Sequence, residues 1–309
     1  MAARCNLRCE YCYNHWERQG ATKPAEMRTP RAKLALAAIA RAPGARGVTL
    51  TGGEPLLRPD LPQLVEEARR LGLAVAIATN GSLLSKETVA RLAQAGVGHF
   101  DISLPTVDSS VYAKLCGGEL ENAREAVVAA CSSCATVTAS ICITAKTLDQ
   151  LPLTVRTAAA LGADSVALNR FTPSGRGRSH AADLAVSRSS LNRALHDAGI
   201  AAAESGISAY LGIPVEPCKL GPTRLGGIRS TACVCGLEKW AVGPDGELRV
   251  CEQSPKNLGD LVAEGFETLS EKPEVAAFRA ENRFGRCIEC DDYSLCGGGC
   301  RFSRVAGED

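Results

Sequence analysis

The chain has 309 residues with 35 basic and 34 acidic side chains and a formal net charge of +1, a balance that argues against a generic nucleic-acid or membrane-surface binder. No stretch reaches the roughly 18 uninterrupted apolar residues of a membrane helix, and Cys5 lies too near the start to leave room for a signal peptide, so a cytoplasmic protein is expected. Fifteen cysteines without an oxidising compartment exclude a disulfide scaffold and favour metal binding.

Strands and helices alternate along the first two thirds of the chain. Short apolar strands followed by helices are typical of βα units around a parallel sheet, which predicts an α/β fold. The predicted helices cover residues 30–42, 60–71, 85–95, 121–130, 151–161 and 187–204, and the predicted strands cover 47–51, 74–78, 100–104, 136–144, 165–168 and 207–213.

The composition changes at about residues 205–215. Beyond this point the chain is rich in Gly, Pro and Cys, with eight cysteines from Cys218 to Cys300. Such a segment buries too little apolar surface to fold without a structural cofactor. We therefore predict one domain over residues 1–210 and a small cysteine-rich domain over residues 211–309.

A compact cysteine motif opens the chain, where Cys5, Cys9 and Cys12 are spaced C-x3-C-x2-C. Three thiolates supply three of the four ligands that a [4Fe–4S] cluster needs, and one iron stays open for a non-protein ligand. A zinc knuckle is the alternative, but structural zinc sites prefer four protein ligands, and His15 is the only other candidate nearby.

A glycine-rich turn, Gly52-Gly53-Glu54-Pro55, follows the predicted strand at 47–51. Together with the cysteine motif it resembles the radical SAM superfamily. The resemblance implies a partial (β/α)6 barrel whose cluster binds S-adenosylmethionine (SAM) and cleaves it reductively to a 5′-deoxyadenosyl radical, which abstracts hydrogen from the substrate. It also implies that the glycines let the backbone approach the ligand closely and that Glu54 accepts a hydrogen bond from the SAM ammonium.

Four further residues match SAM-binding positions of this family. Tyr11 precedes the third cysteine, Asn80 follows the strand at 74–78, and Ser103 lies near the end of the strand at 100–104. Asn80 and Ser103 have the alternative role of turn or helix-capping residues. Arg170 is expected to pair with a carboxylate of SAM or substrate, with a surface position as its alternative.

Two features depart from the family pattern. Pro105 stands where the family commonly has an aspartate after Ser103 and Leu104, so any role of that aspartate is absent or moved. Only four residues precede Cys5, where a first barrel strand is expected.

The C-terminal cysteines have a spacing of their own, C-x10-G-x4-C followed by C-x2-C-x5-C-x3-C. This pattern resembles the SPASM domain, an extension of radical SAM enzymes that binds auxiliary iron–sulfur clusters, and its alternative is a zinc ribbon. A β-hairpin with Asp245-Gly246 as its turn is expected between the first two cysteines of this pattern. The cysteines are Cys235, Cys251, Cys287, Cys290, Cys296 and Cys300.

The resemblance also implies how these cysteines are shared between clusters. Auxiliary cluster I would use Cys235, Cys251, Cys300 and one upstream thiolate, Cys218 or Cys233. Cys218 is preferred, on the expectation that the side chain of Cys233, only two residues before Cys235, would point away from it.

Auxiliary cluster II would use Cys287, Cys290 and Cys296. The expected final cysteine of the motif is missing after Cys300, so this cluster would keep an open iron or take a ligand such as Asp291 or Asp292. One or two auxiliary clusters are therefore expected.

SPASM enzymes mostly modify peptides or proteins, so the resemblance implies a ribosomal peptide maturase that forms an oxidised residue, a thioether or a carbon–carbon crosslink. An electron donor such as flavodoxin or ferredoxin is implied, and peptide recognition would come from a separate protein or from the SPASM surface. Glu252, directly after Cys251, is the expected general base, with a solvent-facing hairpin end as its alternative. Two other functions stay open: a radical dehydrogenase or epimerase of small molecules, and a zinc-binding interaction protein.

Overall fold

The protein is represented by a computed structural model that describes residues 2–216, 218, 227–280, 287–291 and 293–303. Asp292, a candidate cluster ligand, lies outside the described residues. The described chain contains a six-stranded sheet in its first two thirds and a three-stranded sheet near its C-terminus. None of the described helices is long and apolar enough to cross a membrane.

The six-stranded sheet is parallel throughout, and its strands lie in chain order. Parallel neighbours require crossover connections, which the helices between the strands supply. The carboxyl ends of all the strands therefore lie at one edge, where parallel α/β folds place their sites. The strands are β1 (Gly47–Leu50), β2 (Ala74–Thr79), β3 (His99–Ser103), β4 (Thr136–Ile143), β5 (Ser165–Arg170) and β6 (Ser208–Leu211).

The helices of this part begin and end at residues with clear capping roles. Ser85, Asp108 and Ser187 accept backbone N–H bonds at the N-termini of α3, α4 and α8, and Gly96 and Gly206 end α3 and α8 in the left-handed conformation. The predicted α/β alternation is confirmed, and α4 and α7 add to it. The helices are α1 (Thr29–Arg41), α2 (Leu61–Arg70), α3 (Lys86–Ala95), α4 (Ser109–Cys116), α5 (Leu120–Cys131), α6 (Leu151–Ala160), α7 (Ala181–Leu184) and α8 (Arg188–Ser205).

The two faces of the parallel sheet differ in polarity, because alternate residues of a strand point to opposite faces. The face toward the helices is apolar and fully buried, as at Phe100, Ile102 and Ile141. The opposite face is the interior of the partial barrel and carries small and polar residues. These include Asp101, Ser103, Thr138, Ser140, Asn169 and Tyr210, which occupy matching register positions.

The cysteine-rich region forms a second, smaller core of Leu248, Val250, Leu261 and their neighbours, which Ala38 of α1 joins. The predicted hairpin is confirmed, since β7 and β8 pair antiparallel around a turn in which Gly246 has φ +98°. The elements are β7 (Ala241–Val242), β8 (Glu247–Arg249), β9 (Gly259–Asp260), α9 (Leu261–Glu264), α10 (Phe266–Ser270), α11 (Pro273–Ala280) and α12 (Tyr293–Cys296).

The residues before Cys5 lie beside the end of β1. Ala2 forms a parallel β-bridge with Gly52, and a single bridge thus occupies the place expected for a first barrel strand. At the other end of the sheet, the predicted domain boundary between residues 210 and 211 falls at the last residue of β6, and the boundary stays a prediction.

Candidate functional site

The cysteine loop, residues 5–12, lies across the carboxyl edge of the parallel sheet. The backbone N–H of Arg8 donates to the carbonyl of Cys116 (3.1 Å), and that of Glu10 donates to the carbonyl of Leu115 (2.8 Å). These carbonyls end α4, where they have no partner within the helix. Helix α4, which the sequence analysis did not predict, therefore positions the cysteine loop.

The three thiols of this loop are partly buried. Burial raises the pKa of Cys5 and raises that of Cys12 to about 12, and a hydrogen bond with Cys116 together with burial raises that of Cys9. The thiols are therefore protonated in the protein alone, and metal binding would have to displace these protons.

The cysteine loop offers three thiolates as metal ligands. Within the described part of the chain, only Cys235, Cys251 and Glu252 bring three such ligand atoms within 4.8 Å of one another, so the loop thiols are less tightly gathered than that set. Three thiolates suit an iron–sulfur cluster with one open iron.

Gly52 and Gly53 allow two backbone segments to meet. A Cβ on Gly53 would lie 2.0 Å from the carbonyl oxygen of Arg4, and one on Gly52 would lie 2.2 Å from that of Ala2. Gly52 also has φ +142°, a conformation that L side chains rarely adopt. The close approach that the structure shows is thus with the residues leading into the cysteine loop, whereas the sequence analysis expected an approach to the ligand.

Glu54 is fully buried, at 0% exposure. Its carboxylate accepts hydrogen bonds from Thr79 Oγ1 (2.7 Å), the Asn80 N–H (2.9 Å) and the Leu56 N–H (3.1 Å). Burial raises the pKa of Glu54, although these bonds oppose the shift. Glu54 ties the glycine-rich turn to the end of β2, and its contact with the SAM ammonium stays a prediction. Pro55, also buried, starts the short 3-10 turn that follows.

Asn80 lies beside the cysteine loop in a defined orientation. Its Nδ2 donates to Asn6 Oδ1 (3.0 Å) and lies 3.9 Å from Cys5 Sγ. Its Oδ1 accepts from the Ser82 N–H (2.9 Å). The structure thus brings the cysteine loop, Glu54 and Asn80 together, as their predicted roles require.

Tyr11 and Ser103 occupy different surroundings. The Tyr11 hydroxyl lies 3.5 Å from Cys116 Sγ, and burial raises the pKa of this phenol. Ser103 ends β3 on the polar face, in register with Ser140. Their contacts with SAM stay predictions.

Arg170 contacts a carboxylate of the protein itself. Its guanidinium lies 3.1 Å from Glu216, with only 11% and 6% of the two side chains exposed, and it also donates to Ser303 Oγ. The alternative of a surface arginine is therefore wrong. The ion pair holds the segment before Cys218 against the end of β5, and contact with SAM or substrate stays a prediction.

Cys233, Cys235, Cys251 and Cys300 form one group of thiols. Cys235 Sγ lies within 4.8 Å of Cys251 Sγ, the Cys233 thiol raises the pKa of Cys235, and Cys300 interacts electrostatically with Cys251 and Cys233. The expectation that Cys233 points away from Cys235 is wrong. Side chains two residues apart lie on the same face of an extended segment, so Cys233 and Cys235 share a side, and the turn that bonds to the Val234 carbonyl follows directly.

Cys218 lies with a different partner. It is exposed, its carbonyl accepts from Arg188 (2.6 Å), and it interacts electrostatically with Cys296 at the end of α12. Cys233 interacts with Cys235, and the preference for Cys218 as the fourth ligand of auxiliary cluster I stays a prediction. Cys287 and Cys290 lie on the turn before α12 and are partly buried.

Glu252 pairs with Lys239, whose Nζ lies 2.8 Å from its Oε1. Burial raises the pKa of Glu252, but Lys239 outweighs this effect and holds the pKa below its usual value. The side chain is 30% exposed, so it is not a fully solvated hairpin end. Ionised Glu252 is therefore a hydrogen-bond acceptor, and its catalytic role stays a prediction.

The charge of Lys239 also acts on Asp101 of the barrel interior, an interaction that the sequence analysis missed. Burial raises the pKa of Asp101 on β3 to about 6, against a hydrogen bond with Ser140 and the charge of Lys239. Asn169 Nδ2 in turn donates to Ser140 Oγ (3.0 Å). The position of Asp101, two residues before Ser103, was the available signal, because residues two apart share a strand face.

A Gly-Arg-Gly turn, residues 175–177, contacts the cysteine loop and was predicted only as part of a loop. Arg176 donates to the carbonyl of Cys9 (3.2 Å) and pairs with Glu17, and Gly177 N–H donates to the carbonyl of Cys12 (3.1 Å). A Cβ on Gly175 would lie 2.5 Å from the Asn14 carbonyl oxygen. The residues after β5 thus hold the cysteine loop in addition to α4.

Comparison with known proteins begins with a family match. The sequence model of the family described as "Radical SAM superfamily" matches residues 1–158. This match spans half of the chain and includes the cysteine loop, the glycine-rich turn and strands β1–β4.

Curated relatives match somewhat more than half of the chain. A protein named "Probable GTP 3',8-cyclase" from Methanopyrus kandleri is 35% identical over 178 residues, which are 57% of this chain and 55% of the relative. A "PqqA peptide cyclase" from Streptomyces rochei is 35% identical over 171 residues, 54% of this chain and 46% of the relative. The chain spans about half the length of these curated relatives.

Solved structures share the fold over nearly the whole chain. Native anSMEcpe with bound AdoMet has a TM-score of 0.76 at 17% identity and covers 100% of this chain and 89% of its own. Streptococcus suis SuiB bound to the precursor peptide SuiA has a TM-score of 0.71 at 17% identity and covers 97% of this chain and 70% of its own. These likenesses extend the shared fold from the barrel to the cysteine-rich region.

Proposed function

The chain belongs to the radical SAM superfamily, and we propose that it is a maturase that abstracts hydrogen from a peptide or protein substrate. The observation that carries this proposal is the arrangement at the carboxyl edge of the sheet. There the Cys5, Cys9 and Cys12 thiols are held beside Glu54 and Asn80 by backbone contacts that only glycine allows at positions 52 and 53.

Cys5, Cys9 and Cys12 would hold three irons of a [4Fe–4S] cluster, and SAM would occupy the fourth. When bound and reduced, the cluster would supply the electron that cleaves the sulfonium of SAM to methionine and the 5′-deoxyadenosyl radical, which abstracts hydrogen. Arg8 and Glu10 fix the loop through the last carbonyls of α4. These contacts hold the thiols in place before the group binds.

The Glu54 carboxylate holds its neighbouring residues in place and would also bind a ligand. Three donors already occupy its carboxylate, and a carboxylate has about four acceptor sites. One site therefore remains for an ammonium group. The same bonds fix the end of β2 and with it the Asn80 amide, which we assign to SAM together with Tyr11, Ser103 and Arg170.

The space between the polar face of the sheet and Lys239 is the proposed substrate site. Lys239 pairs with Glu252 at 2.8 Å and interacts with Asp101 in the barrel interior. These charged and hydrogen-bonding groups suit the polar backbone of a peptide. Glu252, held ionised by Lys239, would accept the proton that the substrate releases.

The similar proteins support a peptide substrate. The name PqqA peptide cyclase and the structure of SuiB with its precursor peptide both concern peptides. We further propose a flavodoxin- or ferredoxin-like electron donor, a separate peptide-recognition protein, one or two auxiliary clusters in a SPASM domain over residues 211–309, and action in the reducing cytoplasm.

A small-molecule substrate is the second candidate, because another relative is named as a GTP cyclase. A zinc-binding interaction protein is the third. In its favour, Cys235, Cys251 and Glu252 bring their ligand atoms within 4.8 Å of one another, as a single ion requires. This third candidate predicts a colourless protein with zinc and no SAM cleavage.

The test is SAM cleavage by the anaerobically reconstituted protein. We expect 5′-deoxyadenosine to form with SAM and dithionite, and Cys9→Ala to abolish it. Cys134→Ala is the matched control, because this exposed thiol lies outside the site and should leave the rate unchanged. Iron-loaded protein that forms no 5′-deoxyadenosine would contradict the proposal.

The substrate class needs a second measurement. Short peptides encoded beside the gene, and in parallel GTP and nucleotide sugars, are incubated with the active enzyme and examined by mass spectrometry. A peptide that loses two mass units or gains a crosslink supports the maturase. Conversion of a nucleotide alone would favour the second candidate.

A further inference from the structure

Gln253 connects the cysteine-rich region to the loop that follows β5. Its Oε1 accepts hydrogen bonds from Thr172 Oγ1 (2.7 Å) and from Ser174 Oγ (3.1 Å). The side chains of Gln253, Thr172 and Ser174 are only 5%, 4% and 8% exposed. Two donors satisfy both acceptor sites of an amide oxygen, and the loss of a partner is costly where the groups are buried.

On the side of the cysteine-rich region, Gln253 belongs to a turn that carries two residues of the candidate site. The Ser254 N–H donates to the Cys251 carbonyl (3.1 Å), which closes the turn over Glu252 and Gln253. Glu252 pairs with Lys239 at 2.8 Å. The turn is thus held by Lys239 of its own region and, through Gln253, by the barrel.

On the side of the barrel, the loop after β5 presents two hydroxyls to one oxygen. The Ser174 N–H donates to the Thr172 carbonyl (2.7 Å), which closes a three-residue turn around Pro173. The ring of proline fixes its φ, so this turn has little freedom. Thr172 and Ser174 therefore form a preformed pair of donors for Gln253.

The Gly-Arg-Gly turn, residues 175–177, continues this loop without a break. Its groups donate to the carbonyls of Cys12 (3.1 Å) and Cys9 (3.2 Å). Because residue 175 follows Ser174 directly, the contacts with Gln253 and those with the cysteine loop belong to one short segment, residues 172–177.

This segment joins two parts of the candidate site that are far apart in the chain. Glu252, the proposed proton acceptor, is the neighbour of Gln253, and the cysteine loop is the proposed source of the radical. Reacting groups must keep their separation to within about 1 Å. A buried hydrogen-bonded contact between the two parts would keep their separation constant.

We propose that Gln253 is a positioning residue, which holds Glu252 at a fixed place relative to the cysteine loop through Thr172 and Ser174. This inference rests on the proposed function, which gives Glu252 and the cysteine loop their roles. The competing interpretation is that Gln253 only stabilises its own turn, residues 251–254.

Four variants separate these interpretations. Gln253→Met keeps the length of the side chain and removes the acceptor. Thr172→Val keeps the shape of threonine and removes a donor, whereas Thr172→Ser keeps the donor. Ser254→Ala is the matched control, because this buried hydroxyl lies in the same turn and accepts from the Lys256 N–H (3.2 Å) within the cysteine-rich region.

The first measurement is backbone hydrogen exchange of the anaerobically reconstituted full chain, followed by mass spectrometry. We expect Gln253→Met and Thr172→Val to speed exchange about fivefold in residues 5–12 and 172–177, the factor by which the loss of one hydrogen bond raises local opening. Thr172→Ser should restore the unaltered rate. Ser254→Ala should change exchange only in its own turn.

The second measurement is electron paramagnetic resonance of the reduced protein with and without SAM. The part of the signal that SAM alters reports the group held by the cysteine loop. Gln253→Met should change the shape of that part, although residue 253 is more than 240 positions away in the chain. Ser254→Ala should leave it unchanged.

A double variant tests whether the two residues act through one contact, because effects on coupled residues are not additive. Gln253→Met combined with Thr172→Val should exchange no faster in residues 5–12 than Gln253→Met alone. Circular dichroism checks that each variant folds. If Gln253→Met does not fold, the comparison of Thr172→Val with Thr172→Ser decides the question.

Two results would overturn the inference: faster exchange confined to residues 251–254 in Gln253→Met, or effects of Gln253→Met and Thr172→Val that multiply in the double variant. Either result in an enzyme that cleaves SAM would overturn only this inference. Conversely, coupled exchange in a protein that makes no 5′-deoxyadenosine would leave the contact in place and overturn only the proposed function.

Discussion

Gly53→Ala tests whether the contact between the glycine-rich turn and the cysteine loop organises the site. The added Cβ would lie 2.0 Å from the carbonyl oxygen of Arg4, 2.5 Å from its carbonyl carbon and 3.1 Å from the nitrogen of Cys5. All three are backbone atoms, so no side-chain rotation can relieve the clash. The φ of Gly53 is not left-handed, and the effect therefore comes from this contact alone.

The magnitude follows from the displacement that the loop must make. Real Cβ atoms essentially never come closer than 3.0 Å, so the Arg4 carbonyl must retreat by about 1 Å. That shift would break the hydrogen bond from the Glu54 N–H to the Arg4 carbonyl, which is 2.8 Å long. Overpacking costs about 1–3 kcal/mol and a lost hydrogen bond about 1 kcal/mol, so we expect a loss of roughly 2–4 kcal/mol in the free energy of unfolding.

The effect on activity should be larger than the effect on folding. A misplacement of about 1 Å at a catalytic site can reduce the rate about 100-fold, and the displaced segment leads directly into Cys5. We therefore expect Gly53→Ala to lower the rate of 5′-deoxyadenosine formation about 100-fold, or to prevent iron loading.

The assays are urea unfolding, iron content and the initial rate of 5′-deoxyadenosine formation. Gly98→Ala is the matched control, because its Cβ would meet only the Val75 carbonyl oxygen at 3.9 Å, an ordinary contact. Stability within about 0.5 kcal/mol of the unaltered protein, together with an unchanged rate, would refute the reasoning about this contact.

Three further predictions follow from other contacts. Arg176→Gln removes the donor to the Cys9 carbonyl (3.2 Å), so iron should be lost to a chelator severalfold faster. Arg178→Gln is the control, because it removes an exposed charge from the same loop and should not change the rate of iron loss. Equal rates in both variants would contradict the contact. Arg170→Met removes the guanidinium that pairs with the buried Glu216 carboxylate, which should cost about 3–5 kcal/mol in urea unfolding, and Arg170→Met with Glu216→Met should recover most of this loss. Additive losses would argue against the ion pair. Asp101 has a pKa of about 6 in the folded protein, above its ordinary 3.8. The folded state therefore binds the proton more tightly than the unfolded state. The contribution of this carboxyl to stability falls as the pH rises from about 4 through 6. Asp101→Asn does not titrate, so its free energy of unfolding should rise relative to that of the unaltered protein over that interval, by on the order of 3 kcal/mol. Urea unfolding of both proteins at pH 4 and pH 8 measures this change. A stability difference independent of pH would contradict the raised pKa.

Local patterns predicted the fold well, because they depend on neighbours in the chain. Alternating apolar strands and capped helices predicted the parallel sheet, and the Asp245-Gly246 turn predicted the hairpin of β7 and β8. Helix α4 (Ser109–Cys116) was missed, since its eight residues follow Ser103 closely and form only two turns. Its role in holding the cysteine loop depends on residues about 100 positions away in the chain.

The candidate site likewise has parts that local sequence patterns predicted and parts that they did not. The spacing of Cys5, Cys9 and Cys12 and the letters of the glycine-rich turn identified the family, because a cluster requires those ligands close together in the chain. The meeting of distant C-terminal thiols could not be predicted in this way. Cys300 interacts with Cys251 and Cys233, and the chain reaches Cys300 through three left-handed glycines.

The sequence by itself therefore determined the chemistry-bearing groups: which thiols are present, which glycines are required and which strands form the sheet. Only the tertiary structure decided which groups meet. Arg170 contacts Glu216, Lys239 contacts Glu252, and Arg176 contacts the Cys9 carbonyl. Each of these three pairings depends on burial and charge compensation between elements that packing brings together, and residue spacing along a chain does not encode that proximity.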